Sequence, residues 1–240
     1  MSKNGLEAFK DCKKLERIII PEGVTTIWGS AFKGCSSLKE ITIPEGVTTI
    51  GEEAFYGCSS LEKVTIPSNV TTIERKTFAE CSNLEEVEIS EGVQTINSEA
   101  FYKCTKLKKL HISSTVEDID DGTFEYCSGL EEITVATENK VYKSDNNCII
   151  DKGTNTLVLG CSKSVIPEDV TRIGSSAFSG CSSLTEINLP KIMPIIESRA
   201  FYGCRSLAKI DIPERVREIQ WKGVSYSDVN VFLKEFRYNN

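Results

Sequence analysis

Histidine occurs once in the 240 residues, as His111, and no two cysteines stand in a C-x-x-C pair. A zinc centre needs about four nitrogen or sulfur ligands at short spacings, so no metal site is expected. A Ser–His or Cys–His nucleophilic pair would have to use His111, which falls at an outward strand position, away from the cysteine column. No base is placed to reach a proton, and neither catalysis nor a cofactor is expected. The stretch Asp151-Lys152-Gly153-Thr154-Asn155 lacks the third acidic ligand and terminal Glu of a calcium loop and reads as a hairpin turn. No apolar run approaches the roughly 18 residues of a membrane span. Met1-Ser2-Lys3-Asn4 leads into the chain without an apolar segment, so no signal peptide is expected. Basic residues number 28 against 35 acidic ones and form no cluster, which makes nucleic acid an unexpected partner.

What the chain does have is a period. Phe9, Phe32, Phe55, Phe78, Phe101 and Phe124 are each 23 residues apart, and so are Cys12, Cys35, Cys58, Cys81, Cys104 and Cys127. Phe178/Cys181 and Phe201/Cys204 resume the spacing, giving eight copies of Phe-x-x-Cys in register. A fixed period of this size is the signature of a solenoid, in which neighbouring coils share one continuous core.

Within a repeat, Leu38, Ile41 and Ile43 follow L-x-x-I-x-I, and the alternation predicts a short strand with its apolar side inward. Pro44-Glu45-Gly46 makes a turn, and Val47-Thr48-Thr49-Ile50 is β-prone, so a second short strand follows. Ala54, Phe55 and Cys58 then suggest a single helical or 3₁₀ turn facing inward, with Ser98, Asp121, Ser175 and Ser198 as caps in other copies. No coil can bury these positions alone. Stacking at about 4.8 Å per coil solves this by joining the strands into parallel sheets.

The pattern L-x-x-I-x-I-P-x-x-V-T-x-I-x-x-x-A-F-x-x-C-S-x resembles the BspA-like (Treponema-type) leucine-rich repeat family, over roughly Leu6 to Val224. The expected fold is therefore an α/β repeat solenoid: a right-handed leucine-rich-repeat coil with a parallel concave sheet, a short second strand and short helical turns. Residues 1–240 are expected to form one such unit. Cys127 to Cys181 spans 54 residues, 8 more than two repeats, which places an irregular long coil at about 136–165. There Cys148-Ile149-Ile150 and Thr156-Leu157-Val158-Leu159 flank a hairpin turn. The pattern decays at Val224 and Ser227, and Val229, Phe232, Leu233 and Phe236 lie at helical spacing, so residues about 225–240 are expected to cap the core. The resemblance implies a surface protein of the adhesive kind, at the cell surface or secreted as part of a longer chain.

Ten cysteines could form a disulfide framework, but eight occupy one inward column. Parallel Cβ vectors about 4.8 Å apart do not suit disulfides, so free buried thiols are expected. Cys148 and Cys161 lie off the column, and a bridge between them stays open.

A non-catalytic interaction or adhesion module, presenting its surface to a protein or glycan ligand, is the function that follows; a spacer or stalk segment without its own ligand is the alternative. The chain is expected to be a monomer. Concave solenoid surfaces are the usual recognition surface. One outward column runs Arg17, Glu40, Lys63, Glu86, Lys109, Glu132, Glu186 and Lys209, with almost alternating sign, which also favours in-register stacking. The next runs Ile19, Thr42, Thr65, Glu88, His111, Thr134, Asn188 and Asp211. From these, Arg17, Glu40, Lys63, Thr65, Glu86, Glu88, Lys109, His111, Glu132 and Thr134 form the candidate binding face. An aromatic flank competes with it: Tyr56, Tyr102 and Tyr202 share a column after the Phe, with Tyr126 beside it, and tyrosine is enriched in interfaces. Trp28 and Trp221 are expected to shield terminal coils. Asn69-Val70-Thr71 is a glycosylation sequon.

Overall fold

In a computed structural model, residues 5–220 are described, and they form a stack of coils. The expected capping segment 225–240 and Trp221 lie outside the described residues. The strands, in chain order, begin with β1 (Arg17–Ile19), β2 (Thr26–Ile27), β3 (Glu40–Thr42), β4 (Thr49–Ile50), β5 (Lys63–Ile66) and β6 (Thr72–Ile73). They continue with β7 (Glu86–Ile89), β8 (Thr95–Ile96), β9 (Lys109–Ile112), β10 (Asp118–Ile119), β11 (Glu132–Val135), β12 (Tyr142–Asp145) and β13 (Cys148–Asp151). The last are β14 (Thr156–Leu159), β15 (Arg172–Ile173), β16 (Glu186–Asn188), β17 (Ile195–Ile196), β18 (Lys209–Asp211) and β19 (Glu218–Ile219).

Two sides of each coil are the strands read from the sequence. Strands β1, β3, β5, β7, β9 and β11 join in parallel as a six-stranded first-side sheet. Residues one period apart face each other, as in Arg17↔Glu40 and Lys63↔Glu86. The alternating burial of Glu86–Ile89 puts Val87 and Ile89 in the core and both glutamates outside.

The third side corrects an expectation. No helix or 3₁₀ turn is present among the described residues, so the third side of the coil is built from turns, which removes the helix-cap role from Ser98, Asp121, Ser175 and Ser198. The reason lies in the backbone donors. Around Phe55, the N–H groups of Ala54, Tyr56 and Cys58 donate three residues back, to Gly51, Glu53 and Phe55. Those of Glu53, Phe55 and Gly57 donate instead to Arg75, Thr77 and Ala79 of the next coil, at 3.1, 2.9 and 2.8 Å. A helix would send every N–H along its own axis. Here every second one leaves the coil, because Glu53 (φ 58°) and Gly57 (φ 70°) are left-handed. The apolar spacing i, i+3 is shared by a helical turn and by this chain of β-turns, so the sequence could not separate them.

The phenylalanines form the internal row that stacking requires. Rings from Phe9 to Phe124 stack at centroid separations of 5.2–5.5 Å, and Phe178 stacks on Phe201 at 5.2 Å. Beside them the cysteines are more than small hydrophobes. Six of the column thiols donate to the Phe carbonyl of the preceding coil, among them Cys35 to Phe9 at 3.0 Å, Cys58 to Phe32 at 3.2 Å and Cys104 to Phe78 at 3.3 Å, whereas Cys181 donates to Gly160 at 3.7 Å. All ten cysteines are free, and only Cys12 is exposed. Burial pushes the Cys35 thiol up to about 11 and the Cys58 thiol up to about 12. Since the thiolate is the reactive form, a thiol reagent at about pH 8 should modify Cys12 alone on the fast timescale, and all ten cysteines after denaturation. Mass spectrometry of the labelled native protein checks this; fast labelling at Cys58 or Cys81 would break the thiol ladder.

The long coil is a plate between two cores. Strands β12 and β13 pair antiparallel through Asn146 (φ 49°) and Asn147 (φ 60°), a two-residue turn of the primed kind that asparagine tolerates. Strands β13 and β14 form the expected hairpin, and β14 pairs parallel with β15. Strand β13 does not alternate between inside and outside: Cys148, Ile149 and Ile150 are all fully buried. Ile149 packs with the N-terminal core, whereas Cys148 and Ile150 pack with the C-terminal one. Cys161 belongs to the N-terminal core, so the two off-column thiols face different compartments and both are free.

Candidate functional site

The first-side sheet presents the candidate binding face as rows of pairs. Arg17 meets Glu40 at 2.5 Å, Lys63 meets Glu86 at 2.8 Å and Lys109 meets Glu132 at 2.8 Å. Lys209 instead turns to Asp211 in its own strand, at 2.8 Å. A second charged row lies alongside, with Lys108–Glu85 at 2.9 Å and Lys163–Glu131 at 2.6 Å. In the small polar column, Thr65 donates to Glu88 at 3.1 Å, and His111 Nδ1 lies 2.9 Å from the Thr134 hydroxyl. Ile19 is 91% exposed on the first strand. The face is therefore polar and internally paired. Exposed pairs of this kind add little to stability; what they give the face is a regular pattern of sign along the stack.

The aromatic flank is gathered by the long coil. On the turn side that coil contributes Gly160 in the Phe column, its N–H donating to the Ala177 carbonyl at 2.9 Å, and two residues further along the Tyr126 N–H donates straight to the Ser179 carbonyl at 3.0 Å. Consequently Tyr126 stands edge-on to Tyr102 at 5.7 Å and to Tyr202 at 6.2 Å. Tyr56 stays apart, with Lys33 Nζ over its ring at 4.7 Å. All four rings are half-buried. The structure thus brings together three of the four predicted tyrosines.

Next to this cluster lies a group that sequence reasoning missed. Glu125 occupies the column held elsewhere by Lys33, Tyr56, Tyr102 and Tyr202, yet it is 5% exposed. Its Oε1 accepts from the Ser176 hydroxyl at 2.5 Å and from Arg199 Nη1 at 3.4 Å. A buried carboxylate is costly unless hydrogen-bonded, so Ser176 and Arg199 are what hold it there. The sequence signal was a glutamate in a tyrosine column, immediately before the 54-residue gap.

Parallel strands one period apart, an internal phenylalanine row and a polar outer sheet define a leucine-rich-repeat solenoid. The description "BspA type Leucine rich repeat region" matches residues 3–141 and 158–230 in six copies, and the chain belongs to that family. Among solved structures it resembles a leucine rich cell surface protein of Faecalibacterium prausnitzii A2-165, at 32% identity and TM-score 0.76. That match covers 87% of this chain and 57% of the other. A leucine-rich repeat protein of Eubacterium ventriosum ATCC 27560 matches at 25% identity and TM-score 0.64, covering 77% of this chain and 56% of that one. The pneumococcal vaccine antigen PcpA shares the fold at 22% identity and TM-score 0.71, over 84% of this chain and 51% of its own. The chain thus spans little more than half the length of these relatives. No curated protein sequence matches it.

Proposed function

We propose that the chain is a non-catalytic interaction module of a surface protein, which uses its first-side sheet to adhere to a protein or glycan ligand. The observation that supports this reading is the regular set of charge rows on that sheet, Arg17–Glu40, Lys63–Glu86 and Lys109–Glu132. Complementary rows on the partner would set both orientation and on-rate. The same pairing also supports the second reading, a spacer without a ligand, because charges satisfied within the stack need no partner.

A charge swap separates the two. Exchanging the members of all three pairs, Arg17 with Glu40, Lys63 with Glu86 and Lys109 with Glu132, keeps every bridge and the alternation of sign along the row while reversing the pattern shown to a ligand. Binding of the chain to immobilised matrix proteins and to a glycan array should fall by about tenfold or more for the partner that wild type retains, with unchanged thermal unfolding. Retention of that partner by the swapped protein would move the site off the sheet, and the absence of any saturable partner would favour the spacer.

A further inference from the structure

The irregular coil creates a place unlike any other in the stack. On the second side, β12, β13 and β14 are interposed ahead of β15. On the turn side, the coil of Tyr126 bonds directly to the coil of Ser179. Extra strands on one side and none on the other force the stack to fan open at the corner between them. Two adjoining cavities of about 190 and 350 Å³ fill that corner and share Asp121, Gly122, Ser175 and Ser176 as a common wall. The larger is within the lower range of ligand-sized clefts.

The lining has a definite chemistry. Tyr102, with Lys103 Nζ 5.0 Å over one face of its ring, supplies an aromatic wall with its other face; Glu99, Asp121 and Glu125 supply carboxylates; Ser98, Ser175 and Ser176 supply hydroxyls. Both hydrogen bonds to the Glu125 carboxylate fall on Oε1, and Oε2, which is not a buried orphan, is left to accept from solvent or from a ligand hydroxyl. Arg199, the one cation among the lining residues, is already bound to Glu125 and lies 5.1 Å over the Tyr202 ring. Asp151 and Glu197 add further acid in the smaller cavity.

We infer that this corner is a saccharide-binding groove that takes a neutral hexose unit. Carboxylates accept paired hydroxyl donors strongly, the serines complement them as donor or acceptor, and an aromatic ring offers a flat apolar face to the C–H side of a pyranose. An acidic groove with its only arginine engaged repels uronic and sialic acids. The inference rests on the reading of the chain as an interaction module, but it places the contact on the flank and not on the charged sheet.

The probes are glucose, galactose and mannose, titrated as free sugars into the full chain by NMR or calorimetry and displayed as glycans on an array. Saturable binding of at least one neutral hexose is expected, with sialic and glucuronic acids bound weakly or not at all. Asp121→Asn, which keeps the size of an exposed side chain, and Tyr102→Leu should each weaken it by about tenfold. The charge-swapped sheet variants should bind the sugar as wild type does. Binding on the array without binding of the free sugar would mean that the groove reads a longer glycan, still lost in Asp121→Asn. No saturable binding in either format, a preference for anionic sugars, binding of calcium alone in the groove, or indifference to both groove variants would overturn the proposal. Loss of sugar binding in the swapped sheet variants alone would overturn it too, while leaving the sheet reading intact.

Discussion

Phe78→Ala is expected to lower the unfolding free energy by about 3–5 kcal/mol, the usual cost of emptying a buried phenylalanine site. The ring is fully buried and stacked on both sides, 5.3 Å from Phe55 and 5.5 Å from Phe101. Neither neighbour can relax into the gap, because each is held by its own coil and by the thiol that donates to its carbonyl, Cys81 to Phe55 and Cys127 to Phe101. The defect also falls in the middle of a stack whose stability comes from contacts between adjacent coils. Chemical denaturation should therefore show an earlier transition, split into two where the halves unfold separately. The same substitution at Phe9, 39% exposed at the end of the row, should cost clearly less. A loss below about 1 kcal/mol at Phe78 would mean that the ring row is not what joins the coils.

Most of the stack was readable because side-chain period and burial coincide. An Ile-x-Ile triplet with period two has one inward face whatever its neighbours do, and a 23-residue repeat brings equivalent positions together. The charge rows were legible for the same reason: Lys63 and Glu86 can only be neighbours if the coils stack in register. The turn side was not legible as turns, since Phe-x-x-Cys spacing does not say where the alternate N–H groups go. Left-handed backbone at Glu53, Lys76, Glu99 and Arg199 leaves no mark in residue type, because none of them is glycine.

The junction was hidden for a different cause. The 54-residue interval announced an irregular coil, yet length alone does not say on which side the extra residues go. The three extra strands extend the second-side sheet while the turn side receives little more than Gly160, so Tyr126 and Tyr202, 76 residues apart, became neighbours. One residue type did betray it. Gly160 lies where a ring would continue the row, and its Cα is so close to Phe178 that an added methyl would sit 2.2 Å from Cε1. A glycine facing a phenylalanine row marks the point where the row is interrupted.

That close approach can be measured, because one column of the turn side holds both ordinary and junction glycines. Gly57 and Gly180 are equivalent and both left-handed, at φ 70° and 78°. A methyl group on Gly57 would meet nothing nearer than 3.9 Å, the Cα of Gly34. On Gly180 it would lie 2.4 Å from the Cα of Tyr126, backbone that cannot swing aside. Alanine at Gly57 should thus cost only the left-handed penalty, about 1 kcal/mol, which Lys103 and Tyr126 already bear in the same column. Alanine at Gly180 adds overpacking of about 1–3 kcal/mol or more, since it must push apart the coils joined by the Tyr126-to-Ser179 hydrogen bond. Parallel denaturant titrations of the two variants should therefore differ by at least about 1 kcal/mol, with Gly180→Ala the weaker protein. Equal losses would show that the coils of Tyr126 and Ser179 do not touch on the turn side, and the fan, the tyrosine cluster and the groove would then lose their common cause.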